Sequence, residues 1–419
     1  MAESSPRPSG PPRKRRFKHL LMAALGKVAR LRGVPELPDW SARPHRVLFI
    51  RQDRIGDMIL ATGTIKAIAC AHATITVDVL ASTLNAAVLK GNSNVGTVIT
   101  IDKKRPWSYV TAIARMRRAR YDAVVDSMIM SPSMTTTLLM LCAGAPHRIG
   151  LAGRGSDSLL TVAATPVPRA VHYVDRSAAL LTPFGVSVTM PEDEASVAKG
   201  SGLWPPELFL TAEELSAGEA HWPRAATAVG NRGSRRRLLV NVSASTSPRY
   251  WPESRFIEAL QQVRRGYPDV EILVVGLPSD VGRMSRVAVG AGATVVRTPH
   301  YRHMMAIVAA SDFVLTADTA VTHIASAFRK SVVVMFTGGG KIGAWWGPYG
   351  THGKIIWNGG PLETLEVAPV VQALQEVMSP QPPRLESGAA ILSRDLPSAA
   401  TPNSHSITAA SASNTAANM

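Results

Sequence analysis

Three short segments of this chain bring acids, cations and a histidine to spacings that suit proton transfer and anion binding. The first is R-Q-D-R-I-G-D, Arg51 to Asp57, which closes the apolar run RVLFIR and opens a helical one, so Asp57 falls at a helix N-terminus. The helix dipole and the free N–H groups there favour an ionised carboxylate, the state a general base needs, and Gly56 admits close approach to the backbone. A carboxylate at that position also serves as a plain helix cap, and both readings stand. Asp53 and Arg54 read as loop residues, with Arg54 suited to a phosphate.

The second segment, S-A-S-T-S-P-R-Y-W-P-E, sets Arg249 just ahead of a helix opened by Pro252 and Glu253. A cation beside small hydroxyl residues at a helix start fits a bidentate grip on a phosphate. A surface cation on a loop is the other reading, and Trp251 reads as core. The third segment, A-D-T-A-V-T-H-I-A-S-A, takes a very apolar strand into Asp318 and then into a small-residue helix. The N–H groups of Thr319, Ala320, Val321 and Thr322 are expected to form a second anion cradle, with Asp318 fixing the loop. His323, one turn in, is placed either to donate to a ligand oxygen or to pack. The run T-G-G-G-K-I-G-A-W-W-G-P reads as a cleft loop and not as a Walker motif, because Met335 stands where the first glycine is needed. No G-x-G-x-x-G follows a strand and no Asp-x-Asp pair is present, so neither a dinucleotide cofactor nor a metal is expected.

These segments lie between short Val/Ile/Leu-rich runs that alternate with amphipathic stretches, the pattern of parallel sheets covered on both faces. One cycle runs from His45 through TITVDVL, VGTVITI and YDAVVDS; a second begins at Arg237 and continues through VEILVVG, ATVVR, DFVLTAD and SVVVMF. The expectation is an α/β protein of two doubly wound, Rossmann-like domains, residues 44–189 and 236–361. Between them, residues 190–235 have the Pro-, Gly- and charge-rich composition of a linker, with a short helical piece around Thr211. Two such domains set the carboxyl ends of their strands on either side of a cleft.

The 419 residues are 46% hydrophobic, enough for more than one core, and only 18% charged, which excludes coiled-coil and wholly disordered chains. Cys70 and Cys142 stand apart in apolar, Ala-rich stretches and read as small buried thiols of a reducing cytoplasm. The net charge of +16 invites a nucleic-acid reading, yet residues 1–33 hold nine basic residues against Glu3, half of that total. Residues 1–43 form a basic arm in which Phe17, Leu20, Leu21, Ala24, Val28 and Leu31 recur near helical spacing, suiting an anionic membrane face or a solvated arm. No run of about 18 apolar residues is present to span a bilayer. Residues 380–419 read as a disordered Ser/Ala/Pro/Asn-rich tail.

Taken together, I-R-Q-D-R-I-G-D-M-I-L-A-T, S-P-R-Y-W-P-E, V-V-G-L-P-S-D and S-D-F-V-L-T-A-D-T-A-V-T-H-I-A-S-A-F-R-K-S-V-V-V-M-F resemble, in order and spacing, glycosyltransferase family 9, the bacterial heptosyltransferases of lipopolysaccharide core assembly. The resemblance spans roughly residues 44–379. It implies the GT-B architecture and inverting, metal-independent transfer from ADP-heptose to a Kdo or heptose acceptor by a cytoplasmic enzyme, peripheral on the inner face of the inner membrane. It also implies that the first domain binds the acceptor and the second the nucleotide sugar, and that a helix at 362–379 returns to the first domain. Carried over, Asp57 of the Gly-Asp pair is the catalytic base, Arg249 stands where many members use a lysine on the donor phosphates, and Asp318, Thr319 and His323 surround the pyrophosphate. Ala320 replaces a signature glycine and Gly63 a usual proline. Two other readings remain: a catalytically weak sugar-nucleotide or glycolipid binder, and a basic nucleic-acid-binding protein, although no nucleic-acid motif is evident.

Overall fold

The protein is described here by a computed structural model. Its described residues are 33, 36–130, 133–153, 157–192, 201–222, 236–338 and 341–379, with backbone alone at 341–343. Most of the 1–43 arm, residues 193–200 and 223–235 of the linker, and the 380–419 tail lie outside them.

The first half builds a six-stranded parallel sheet from β1 (His45–Ile50), β2 (Ile75–Ser82), β3 (Val98–Ile101), β4 (Ala123–Asp126), β5 (His147–Leu151) and β6 (Val162–Ala164), ordered β3-β2-β1-β4-β5-β6. Helices α1 (Ile55–Ala71), α2 (Trp107–Ala119), α3 (Met134–Ala143) and α4 (Tyr173–Ser177) join or cover it. After the short α5 (Ala212–Glu219), the second half repeats the plan. Its strands are β7 (Arg237–Asn241), β8 (Glu271–Val275), β9 (Thr294–Val295), β10 (Phe313–Ala317), β11 (Ser331–Thr337) and β12 (Gly353–Asn358), ordered β12-β11-β10-β7-β8-β9. Its helices are α6 (Glu253–Gly266), α7 (Val281–Ala291), α8 (Tyr301–Ala309), α9 (Ala320–Ala327), α10 (Lys341–Trp346) and α11 (Val367–Met378). Both sheets reverse their winding beside the first strand, between β1 and β4 and between β7 and β10, where such sheets open a crevice for ligands. Short, unbroken apolar strands dictate this arrangement, because Val47 to Ile50 and Val332 to Phe336 are inaccessible to water on both faces.

Three short strands, β5, β6 and β12, were not expected from the sequence, and the glycine-rich run after β11 contains a helical turn, α10, where a loop was read. Both cysteines depart from expectation: Cys70 is exposed and Cys142 half-buried, since each lies near the end of its helix, off the face that packs. The last helix also departs from it. Instead of returning to the first half, α11 buries Val370, Leu374 and Val377 in the core of the second, with Leu260 and Val263 of α6. The chain is pinned there before the helix begins: Trp251 donates from Nε1 to the Leu365 carbonyl at 2.8 Å, and Arg255 donates to the Glu363 carbonyl at 2.7 Å.

The halves meet along α1 and α9. Helix α1 is apolar nearly all round, burying Ile55, Met58, Ile59, Leu60, Ile65 and Ile68, because it is covered by its own sheet on one side and by α9 and residues 201–210 on the other. Gly63 is where the connecting segment comes closest: a Cβ there would lie 2.2 Å from the Trp204 carbonyl oxygen. Farther along, the buried Arg302 of α8 pairs with Glu214, donates to the Phe209 carbonyl at 2.8 Å, and reaches the Ala87 and Lys90 carbonyls of the first half at 3.2 and 3.4 Å. Gly63→Ala is expected to cost about 1–3 kcal/mol through overpacking against backbone that cannot move aside. The check is a lower denaturant midpoint at an unchanged slope, with Gly153→Ala, in open space at positive φ, as the comparison for backbone strain alone.

Candidate functional site

At the carboxyl edge of the first sheet the backbone leaves β1 through Arg51, whose side chain is 3% exposed. Its guanidinium lies 2.8 Å from an Asp53 oxygen through Nε and 3.3 Å from an Asp57 oxygen through Nη2. The remaining nitrogen donates to the Ser127 carbonyl at 2.6 Å and to the Tyr173 hydroxyl. Burial opposes the charge on Arg51, but Tyr173, Asp57 and Asp53 more than offset it, so the group is held cationic. One cation thus faces several acids. Burial pushes the Asp53 carboxyl up to about 6 against the pull of Arg51, with the charge of Asp57 adding to the rise. Burial likewise lifts Asp126, at the end of β4, to about 6, although its carboxylate accepts from the Met128 N–H at 2.9 Å. Asp57, in the first turn of α1, is 14% exposed and makes no side-chain cap there, since the N-cap is Arg54, which has no side-chain cap bond.

The edge of the second sheet carries the anion-binding candidates. Arg249 pairs with the Asp318 carboxylate at 2.8 Å and also donates to the Asp318 carbonyl at 3.2 Å, and it remains 26% exposed. Arg283 holds the loop of Arg249 at both ends, donating to the Val242 carbonyl at 3.0 Å and to the Trp251 carbonyl. Burial raises the Asp318 carboxyl, opposed by Arg249 and by Arg54. Arg54 belongs to the first half, so a cation from each half bears on the same carboxylate.

Thr319 is the N-cap of α9. Its hydroxyl accepts from the Val321 N–H at 3.2 Å, and its carbonyl accepts from the Thr322 N–H at 3.1 Å. Two of the four amides read as an anion cradle are therefore satisfied within the turn, which leaves that role to Thr319 and Ala320. Asn241, at the end of β7, locks the turn by donating to the hydroxyls of Thr316 and Thr319 at 3.0 and 3.3 Å. No motif pointed to it; its signal was only its place at the end of the strand where the sheet reverses.

His323 lies at the seam between the halves, 6% exposed, and its ring edge meets Gly56, where a Cβ would come within 2.6 Å of Cδ2. Burial first, and then the nearby His172, push its imidazole down to about 3, so the ring is neutral, and Nδ1 is buried without a partner among the described residues. Gly56 is thus needed for close packing of α1 on α9. The histidine therefore lies at the seam, with its ring edge against Gly56. The hydroxyl of the buried Thr322 also lacks a partner among the described residues. Trp251 is core, 1% exposed. Among the described residues no cluster of His, Cys, Asp and Glu is placed to hold a metal ion. The arrangement sets a partly open carboxylate on one sheet edge and, on the other, the Arg249–Asp318 pair beside the Thr319 and Ala320 amides, which have no partner among the described residues.

A model of glycosyltransferase family 9 (heptosyltransferase) matches residues 110–366, more than half of the chain; the segment holding Asp57 precedes that match. Among solved structures, the fold is similar to a family 9 glycosyl transferase from Veillonella parvula, at 15% identity and a TM-score of 0.66, covering 81% of this chain and 98% of that one. It is also similar to E. coli ADP-heptose LPS heptosyltransferase II, at 18% identity and a TM-score of 0.60, covering 79% and 98%. A third is E. coli heptosyltransferase WaaC with ADP-2-deoxy-2-fluoro heptose, at 16% identity and a TM-score of 0.61, covering 79% and 99%. Among curated protein sequences, none matches.

The raised Asp53 carboxyl makes stability depend on pH. A group whose folded pKa lies above its unfolded one contributes stability that is fully present below the unfolded value of 3.8 and is lost as pH rises through about 6. Asp53→Asn removes that loss, so the stability of the variant relative to the wild type is expected to rise between pH 4 and pH 7, as read by urea unfolding at each pH. A difference that stays flat across this window would show that Asp53 is ionised throughout.

Proposed function

The chain belongs to glycosyltransferase family 9 and is a glycosyltransferase of GT-B architecture, and from that premise we propose that it moves a heptose from ADP-heptose onto a lipopolysaccharide core or related glycan acceptor, with inversion and without a metal. The observation that carries this reading is the placement of Asp57 on the first sheet edge, bound to a buried cation, with Arg249, Asp318 and Arg54 gathered at the second.

In this reading Asp57 accepts the proton of the acceptor hydroxyl as that oxygen attacks the anomeric carbon of the donor. The bond from that carbon to the diphosphate breaks on the opposite face, so one displacement inverts the centre. Charge grows on the departing diphosphate, where Arg249, Arg54 and the amides of Thr319 and Ala320 are positioned to stabilise it. Cations and amides take the part that a metal plays elsewhere. Arg249 gives two parallel donors where the family resemblance implies a lysine point charge, and it arrives already paired with Asp318, so a diphosphate must compete with that carboxylate. Tyr173 stacked on Trp346 at 4.8 Å, and Tyr349 donating to Asp175 at 2.7 Å, bring the halves together beside the site and favour exclusion of water that would hydrolyse the donor.

Among the described residues no helix is long and apolar enough to cross a membrane. A cytoplasmic enzyme held at the inner face of the inner membrane through residues 1–33 fits a lipid-borne acceptor.

Asp57→Asn is expected to fold, to bind donor as the wild type does, and to lose roughly 10²–10⁴ in turnover, the usual contribution of a general base. Arg249→Ala is expected to weaken donor binding and turnover together, by about 10- to 100-fold, since a cation on the diphosphate acts before and during the displacement. Thermal shifts with ADP-heptose, UDP-sugars and GDP-sugars, followed by turnover with a core acceptor, check both. A larger shift with a UDP- or GDP-sugar would overturn the donor assignment, and full turnover by Asp57→Asn would return that residue to a structural role.

A further inference from the structure

Helix α2 turns one face into the first sheet, where Ala112 and Met116 are buried with Leu48, Ile50 and Val124. Its other face is open. Trp107 is 79% exposed and Val110 55%, and with the exposed Ala114 they recur at the spacing of a single helical stripe. Cations bracket that stripe: Lys103, Lys104 and Arg105 precede it, and Arg115, Arg117 and Arg118 close it, all exposed. No Asp or Glu occurs between Lys103 and Tyr121. Arg105 lies 3.8 Å from Asp102, a long and exposed pair, and Arg117 donates to the Cys142 carbonyl at 2.8 Å, so neither is drawn into the interior.

We propose that this face of α2, with the basic turn before it, is a docking surface for an anionic lipid bilayer. A tryptophan left almost wholly in water one turn from a valine is costly unless something apolar covers it. The cations at both ends select an anionic cover, and an indole flanked by cations suits the headgroup boundary, where the ring enters and the charges meet phosphates. A nucleic acid would satisfy the cations and leave the apolar stripe uncovered. Thirteen residues make a helix about 20 Å long, enough to lie in the interface and too short to span it. Topology gives the surface its use. Because α2 follows β3, Trp107 and the basic turn lie at the carboxyl edge of the first sheet, the edge that carries Asp57, so a bilayer there presents its headgroups on the side of the candidate base. The inference deepens the membrane reading given above and rests on it, but it assigns the contact to a folded surface separate from the N-terminal arm.

The test uses the full chain, sedimented with vesicles of phosphatidylglycerol in phosphatidylcholine and with vesicles of phosphatidylcholine alone. The variants are Trp107→Ser with Val110→Ser; Arg115→Gln with Arg117→Gln and Arg118→Gln; and, in the arm, Arg13→Gln with Lys14→Gln, Arg15→Gln and Arg16→Gln. Thermal midpoints and turnover of a lipid-free acceptor should match the wild type for the α2 variants, because Trp107, Val110, Arg115, Arg117 and Arg118 are exposed and none belongs to the candidate site. Each α2 variant is expected to lower partitioning onto the anionic vesicles about tenfold or more, the charge variant also losing most of its dependence on salt. Loss in the α2 variants, with or without loss in the arm variant, supports the surface. Loss confined to the arm variant overturns the surface and spares the membrane reading, whereas a wild type that sediments with neither vesicle overturns both. Duplex DNA binding that displaces the wild type from vesicles, and that Trp107→Ser with Val110→Ser leaves unchanged, would assign the patch to nucleic acid instead.

Discussion

A single buried guanidinium has to satisfy the acids gathered where β1 meets α1. Arg51 touches Asp53 and Asp57, and its charge also bears on Asp126, so the cluster has more carboxyls than the one buried cation can neutralise. The consequence is that burial raises the Asp53 and Asp126 carboxyls to about 6, against the pull of Arg51, so both hold protons more readily than an exposed carboxylate does. The ties from Arg51 to the Ser127 carbonyl and the Tyr173 hydroxyl then fix the loop after β4 and the helix α4 against the same point. Electrostatics and architecture are therefore the same constraint here: moving Arg51 would unsettle Asp57 in α1, the loop after β4 and α4 at once.

The second sheet repeats the strand order of the first but meets a different electrostatic problem. At its edge Arg249 and Asp318 neutralise each other, with Arg54 of the other half as an additional cation. Arg249 is thus held by a carboxylate whose charged form burial disfavours. The seam brings the two edges together through small residues. Gly56 admits the His323 ring and Gly63 admits the 201–210 segment, and a side chain at either would hold α1 off its neighbours.

Much of this was readable in the chain because each motif sits between a continuous apolar run and a helix start, a junction that periodicity alone locates. That placed Asp57, Arg249 and Asp318 at sheet edges, and it gave the alternation of both halves. Arg51 was seen only as the end of a strand, since its partners Ser127 and Tyr173 lie 76 and 122 residues away and meet it only through the sheet order. The contact of His323 with Gly56 was equally hidden, because the two residues lie far apart in the chain and meet only where α1 packs on α9. The strands β5, β6 and β12 were missed for being short or interrupted by His147, Arg148 and Lys354. For α11, the family resemblance misled where the residues themselves did not: its apolar positions Val370, Leu374 and Val377 match the face that α6 leaves open.

The covering of α1 by elements from both halves has a consequence for synthesis. The helix is complete once residue 71 has been made, but α9, which closes over it, begins at residue 320. At about 5–20 residues per second, that interval lasts on the order of tens of seconds. Throughout it the nascent first half carries the face of α1 around Gly56 without the α9 residues Ala320 and His323 that later close on it. The first half therefore emerges with its future seam uncovered, and the seam can close only once α9 has followed it out.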